Sequence, residues 1–237
     1  MSQVTKAMES VSAVKMRKSQ QFALSARSHA LSALKILRNV SGATEAALHP
    51  LMQVREVKRT CLIIISGDKG LAGSYGSSVL KHAYRHIEDR KLTKENTALV
   101  LVGKKAYEHF NSRGWTIVEH FESWSDHFTF DTVAPLSAHI REAFARGEYD
   151  EIGIIYTNFV STLTQNVYTR RLLPLTYVGV EEVVRGITPE KGKYSELEQG
   201  TPNEPQREYS FEPSAESILG ELIPELFNIQ LFHSVLE

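Results

Sequence analysis

Two uninterrupted apolar runs, residues 61–66 (CLIIIS) and 98–102 (ALVLV), limit this chain more than anything else in it. Neither alternates apolar with polar residues, so neither suits a sheet with one face in water. Short continuous runs of β-branched type belong to strands covered on both faces, as in parallel sheets flanked by crossover helices. The chain between them supplies such a crossover: a glycine-rich turn at 67–76, then a helical stretch over 77–89. A second helix is expected at 104–113, closed by Gly114, and residues 116–122 alternate as a third strand. Asp131 is placed to cap a helix reaching about Arg146, with Gly147 as its stop. Residues 152–156 and 167–173 read as two further strands joined by a short polar turn. The order predicts an α/β body with a mostly parallel, doubly wound sheet and an antiparallel addition near its end.

The two ends are of another kind. Residues 1–40 contain neither Pro nor Gly, and Val4, Met8, Val11 and Val14 recur at helical spacing, as do Leu24, Leu31 and Leu34. Residues 15–21, between them, are polar almost all round. A helix with so few core residues cannot lie on a domain for its whole length, so it is expected to project. Ser41-Gly42 is its expected stop. Lys6, Lys15, Arg17, Lys18, Arg27, Lys35 and Arg38 face the single acid Glu9 here, whereas residues 181–237 set twelve glutamates against Arg185, Lys191, Lys193 and Arg207. A net charge of −1 hides this asymmetry, which suits ends that meet different surroundings. Residues 184–210 lack a hydrophobic pattern and read as a mobile excursion. From Ser214 a helix resumes, with Ile218, Leu219, Leu222, Ile223, Leu226, Ile229 and Phe232 as a broad apolar stripe and Pro224 as an expected kink. The organisation is therefore residues 1–57 as helix and connection, 58–213 as the α/β body, and 214–237 as a closing helix.

Few chemistries fit. With 42% apolar and 23% charged residues the chain can fill a core, and near-neutrality excludes a wholesale nucleic-acid binder. No run approaches the roughly 20 apolar residues of a membrane span. The one cysteine, Cys61, allows no internal disulfide and fits a reducing, intracellular compartment; inside an apolar strand its thiol is expected to be inert. Gly67, Gly70, Gly73 and Gly76 follow a strand and precede a helix, but their spacing of three lacks the tight first pair of a dinucleotide fingerprint. Lys69 is misplaced for a phosphate loop of the Walker type. A structural turn is the reading preferred, with a small nucleotide-binding α/β enzyme using the Gly67-to-Gly76 turn as the alternative. His82 and His86 lie four apart on a helix without a third ligand, so they read as solvent-facing, and no metal or cofactor is expected. Phe22 is the one aromatic among the first forty residues, so the basic helix points to a protein partner rather than RNA.

Several segments resemble the gamma subunit of F-type ATP synthase. They are Thr5-Lys6-Ala7-Met8-Glu9, Lys15-Met16-Arg17-Lys18-Ser19-Gln20, and the turn Ser66-Gly67-Asp68-Lys69-Gly70-Leu71-Ala72-Gly73, where Gly67 departs from the family's usual Thr or Ser. Val102-Gly103-Lys104-Lys105, residues 158–165 (NFVSTLTQ), Leu172-Leu173-Pro174-Leu175 and Leu222-Ile223-Pro224 follow in the family's order. The resemblance implies a central-stalk rotor without a catalytic site or cofactor of its own, coupling proton flow to ATP synthesis or hydrolysis. It implies an antiparallel coiled coil of the N- and C-terminal helices inside the α3β3 ring, with Lys6, Met8, Lys15, Arg17 and Lys18 facing acidic loops of beta. The body would meet epsilon and the c-ring, with Gly67, Asp68, Lys69, Gly70 and Gly73 as a structural turn, peripheral to the cytoplasmic face of a bacterial membrane. Family members begin with a further basic segment and continue beyond the counterpart of Glu237, so the chain is expected to be truncated at both ends. The chloroplast cysteine pair is absent, since Cys61 stands alone, and a bacterial member is implied.

Overall fold

The computed structural model describes residues 3–19, 21, 32, 49–70, 72–124, 128–159, 164–176, 178–179 and 214–237. Residues 3–19 form helix α1. The remainder of the expected projecting helix, with Leu24, Leu31, Leu34 and the Ser41-Gly42 stop, lies outside the described residues, as does the excursion at 184–210.

The body is a five-stranded sheet in the order β3-β2-β1-β4-β5. Strand β1 (Thr60–Ile65) runs parallel to both its neighbours, β2 (Thr97–Val102) and β4 (Glu151–Phe159). Strand β3 (Ile117–Phe121) adds parallel to β2, and β5 (Gln165–Leu173) pairs antiparallel with β4. The crossovers are α2 (Tyr75–Asp89), α3 (Lys104–Asn111) and α4 (Phe130–Ala145), and α5 (Ala215–Leu236) closes the described chain.

The pleat explains the continuous apolar runs. Cys61, Ile63 and Ile65 point into one core with Val133, Leu136, Ile140 and Phe144 of α4 and with α5. Leu62 and Ile64 point the other way, into a second core with α2 and α3. Each face is covered, so a polar residue in place of Leu62, Ile63 or Ile64 would forfeit burial worth roughly 1.5–3 kcal/mol.

Four local expectations change. Helix α2 begins at Tyr75, so Gly76 lies inside it rather than in the turn. Helix α4 is capped by Thr129, not Asp131: Thr129 is extended (φ −130°, ψ 170°), and Thr132 Oγ1 accepts its N–H at 3.1 Å. Asp131 sits in the first turn, where a carboxylate still favours the helix dipole. Strands β4 and β5 run further than the apolar patterns, because Thr157 and Asn158 are buried within the hairpin opposite Val167 and Asn166. Helix α5 passes through Pro224 unbroken. The carbonyl left without a donor belongs to Gly220, an exposed residue where water can bind it. The stops at Gly114 (φ +67°) and Gly147 (φ +75°) stand as expected, in the left-handed conformation. Helix α5 packs on α4, β4 and β5, burying Leu219, Leu222, Ile223, Leu226, Phe227 and Phe232. Leu51, in a short 3-10 turn (Pro50–Met52), joins the same core and accepts from Leu175 N at 2.8 Å.

Candidate functional site

A doubly wound sheet offers its ligand crevice at the carboxyl ends of its strands, where the strand order reverses. In this chain the order reverses between β1 and β4, and the turn after β1 is bound on the opposite side, toward β2 and the start of α3. Asp68 Oδ1 accepts from Lys104 N at 3.0 Å, Gly67 O from Lys105 N at 3.3 Å, and Ser66 Oγ from Ala106 N at 2.9 Å. These are the first N–H groups of α3, the donors a phosphate would need. Asp68 Oδ2 also accepts from Ser123 N at 2.9 Å, so one carboxylate joins the turn after β1, the start of α3 and the loop after β3. Gly103 (φ +96°) allows the approach: a Cβ there would lie 2.1 Å from Ser66 O.

The remaining glycines differ. Gly73 needs its positive φ (+56°), but Gly70, Gly73 and Gly76 have nothing within 4 Å of where a Cβ would stand. Lys69 and Gly70 are exposed. Beside them a 480 Å³ cleft between α2 and α3 is lined by Lys69, Tyr75, Ser77, Lys105, His109 and Arg113, among others. Its charges are largely engaged: Lys105 meets Glu108 at 3.6 Å, and Arg113 donates to His109 O at 2.9 Å. Burial, with Arg113 beside it, holds His109 below the usual imidazole range.

His82 and His86 are not solvent-facing. Both are half-buried, and His82 lies against β5, its Nε2 3.0 Å from Thr169 Oγ1. Burial, aided by Arg85 and Arg90 respectively, lowers both pKa values. The edge strand β5 covers this side of α2, which the helix pattern alone did not reveal. Among the described residues no three potential ligands converge on a metal position. Burial, aided by Glu119, pushes the Cys61 thiol up to about 12, so it stays protonated.

The basic residues lie along α1. Lys6, Met8, Lys15, Arg17 and Lys18 are all exposed, and so are Val4 (66%) and Val11 (56%). Positions 4, 8, 11, 15 and 18 share one helical face, so the apolar stripe of Val4, Met8 and Val11 runs on into Lys15 and Lys18. Sequence reasoning missed a second group, the ring chain Phe121–Trp124–Phe128–Phe232. Its only signal was the density of aromatics over residues 121–130.

A family model described as ATP synthase matches residues 1–237. The ATP synthase gamma chain of Desulforamulus reducens is 33% identical over 235 residues, covering 99% of this chain and 75% of that one. The sodium-ion-specific ATP synthase gamma chain of Acetobacterium woodii is 36% identical over 240 residues, covering 99% and 76%. In fold, the chain resembles one from the central stalk and c-ring structure of Tetrahymena thermophila mitochondrial ATP synthase, with a TM-score of 0.56, 17% identity and coverage of 93% and 91%. The α/β body and the gamma-chain likeness from end to end agree, and the chain belongs to the ATP synthase gamma-chain family.

Proposed function

We propose that this chain is the central-stalk rotor of an F-type ATP synthase, coupling proton flow through a membrane sector to ATP synthesis or hydrolysis on other subunits. The observation that carries this reading is the gamma-chain identity over 99% of the chain. Asp68 binds the turn after β1 to the start of α3, which supports a structural role for that turn over the nucleotide-enzyme alternative. The chain has no catalytic site of its own in this reading, and the turn with Gly67, Asp68, Lys69, Gly70 and Gly73 is structural.

Helix α1 is the shaft's first strand, projecting from the body and paired in an antiparallel coiled coil with the C-terminal helix. Its exposed Val4, Met8 and Val11 need an apolar partner to be stable in water. Lys6, Met8, Lys15, Arg17 and Lys18 face acidic loops of beta within the ring of alpha and beta subunits. Attraction between such charges is non-directional and screened over about 8 Å, which suits a turning contact. The body meets epsilon and the c-ring. No helix among the described residues is long and apolar enough to cross a membrane, and a peripheral place on the cytoplasmic face follows from the partners.

Co-expression with bacterial alpha, beta and epsilon subunits tests the reading. The chain should co-elute with them as one assembly. A chain that stays apart from all three, or that binds ATP, ADP or NAD alone at micromolar concentration in titration calorimetry, overturns it.

A further inference from the structure

Resting on the rotor reading, we infer that Asp68 is a positioning residue: it clasps an aromatic strut that fixes α5 to the sheet against turning and so sets the torsional stiffness of the joint between body and shaft. Most of the contact between α5 and the body is apolar. Among the described residues, directional contacts to α5 are few: Ser137 Oγ of α4 donates to Asn228 Oδ1 near the middle of the helix. The strut adds an oriented contact toward the end of the helix. Phe232 of α5 lies between two rings, Phe128 at 5.2 Å and stacked within 11°, and Phe130 at 5.4 Å. Phe128 meets Trp124 at 5.8 Å, and Trp124 meets Phe121, the last residue of β3, at 4.8 Å. A continuous line of rings therefore leads from the sheet edge to the last third of the helix.

The root of that line is held by hydrogen bonds. Phe121 O accepts from Gly103 N at 2.7 Å. Ser123 has φ +64°, a conformation that a residue with a side chain keeps only where its surroundings impose it. What imposes it is Asp68, whose Oδ2 takes the Ser123 N–H at 2.9 Å while Oδ1 is anchored on Lys104 N at 3.0 Å. Both bonds are charge-assisted and directional. A torque that rolls α5 must displace Phe232, Phe128 and Trp124 in turn, and then break the clasp.

The chain has two tryptophans, Trp115 and Trp124, so Trp115→Phe makes Trp124 a reporter of the strut. In that background Asp68→Asn keeps one acceptor oxygen and sets an amide NH2 against the other backbone N–H. Trp124 emission should shift to the red, its quenching by acrylamide should rise, and exchange of the Ser123 amide should quicken at least about tenfold. Phe232→Leu keeps apolar volume but loses the stacked ring, and should unseat Trp124 if Asp68→Asn fails to fold. Ser123→Gly keeps the donor, relieves the left-handed strain, and should leave Trp124 seated. A purely structural role for Asp68 predicts the same fluorescence but no mechanical change. In the assembled synthase, angular fluctuations of a bead on the stalled rotor should therefore show at least about twofold lower stiffness for Asp68→Asn, since the root of the strut is no longer held by charge-assisted bonds. Unchanged stiffness with Trp124 unseated overturns the inference, and so does a Trp124 that stays seated. If the unsubstituted chain does not assemble, the rotor reading fails with it, while fluorescence and exchange still decide whether the clasp exists.

Discussion

The carboxyl end of the sheet and helix α1 use their side chains in opposite ways. At the sheet end, Ser66, Gly67 and Asp68 satisfy the first donors of α3 and one strained loop. Along α1, Val4, Met8, Val11 and Val14 stand in water beside exposed lysines. In the proposed reading the first region is scaffold and the second is an interface. Substitutions at the first should therefore cost stability, and those at the second should cost assembly.

Gly103→Ala is the most severe break on the scaffold side. The added Cβ would lie 2.1 Å from Ser66 O at φ +96°, and neither the turn nor β2 can move without disturbing the sheet. We expect a loss above about 3 kcal/mol, seen as a collapsed thermal transition or an insoluble chain. A Gly103→Ala protein melting within a few degrees of the parent would show that the end of the sheet is not tightly packed.

A third region sharpens the contrast because it is buried but not fully satisfied. His233 Nδ1 lies 3.3 Å from Glu237 Oε1, and Glu237 Oε2 has no hydrogen-bond partner. Burial, aided by Arg170, lowers His233 from 6.5 to about 4, and burial raises Glu237 from 4.5 to about 8. Both groups are neutral in the folded chain at pH 7. Between pH 4.5 and 6.5 the unfolded chain binds one proton more at the histidine and one fewer at the glutamate, and the two effects cancel. Above pH 6.5 only the glutamate contributes: the folded chain holds its proton, the unfolded chain has lost it, and stability falls as pH rises toward 8. The decline should amount to about 2 kcal/mol in denaturant titrations across that window, and Glu237→Gln should flatten it.

Ser66→Ala tests the scaffold by one hydrogen bond. It leaves the buried Ala106 N–H without an acceptor and should cost about 1–3 kcal/mol in urea unfolding. A neutral result would mean that α3 starts equally well without the β1 turn.

The sequence made the scaffold's strands legible and its clasps invisible. Residues 61–66 and 98–102 announce buried strands because both faces of a parallel sheet need apolar side chains. Asp68 could be placed in a turn, but its two oxygens reach residues 36 and 55 positions onward, and no local pattern encodes that. Thr129 and Asp131 are both good caps by residue type, and the Thr132 hydroxyl decides between them. His82 reads as solvent-facing because Thr169 of β5, which it meets, lies 87 residues onward. Helix α1 was legible for the opposite reason: its pattern is local, and its exposed stripe shows in the spacing alone.

The last test lies wholly on the interface side. Reversing Lys15, Arg17 and Lys18 to glutamate changes three exposed residues of α1. Each exposed substitution should alter folding stability by less than about 0.5 kcal/mol, so the thermal midpoint of the body should barely move. In the assembled synthase the same triple change should weaken ATP-driven proton pumping, because in the proposed reading it sets negative charge against acidic loops of beta. Added salt should lessen the defect, since exposed charges are screened over about 8 Å at physiological ionic strength. Pumping equal to the parent's would separate the basic face of α1 from coupling and leave its apolar stripe as the sole interface. A body that unfolds on reversal would instead move α1 to the scaffold side of the comparison.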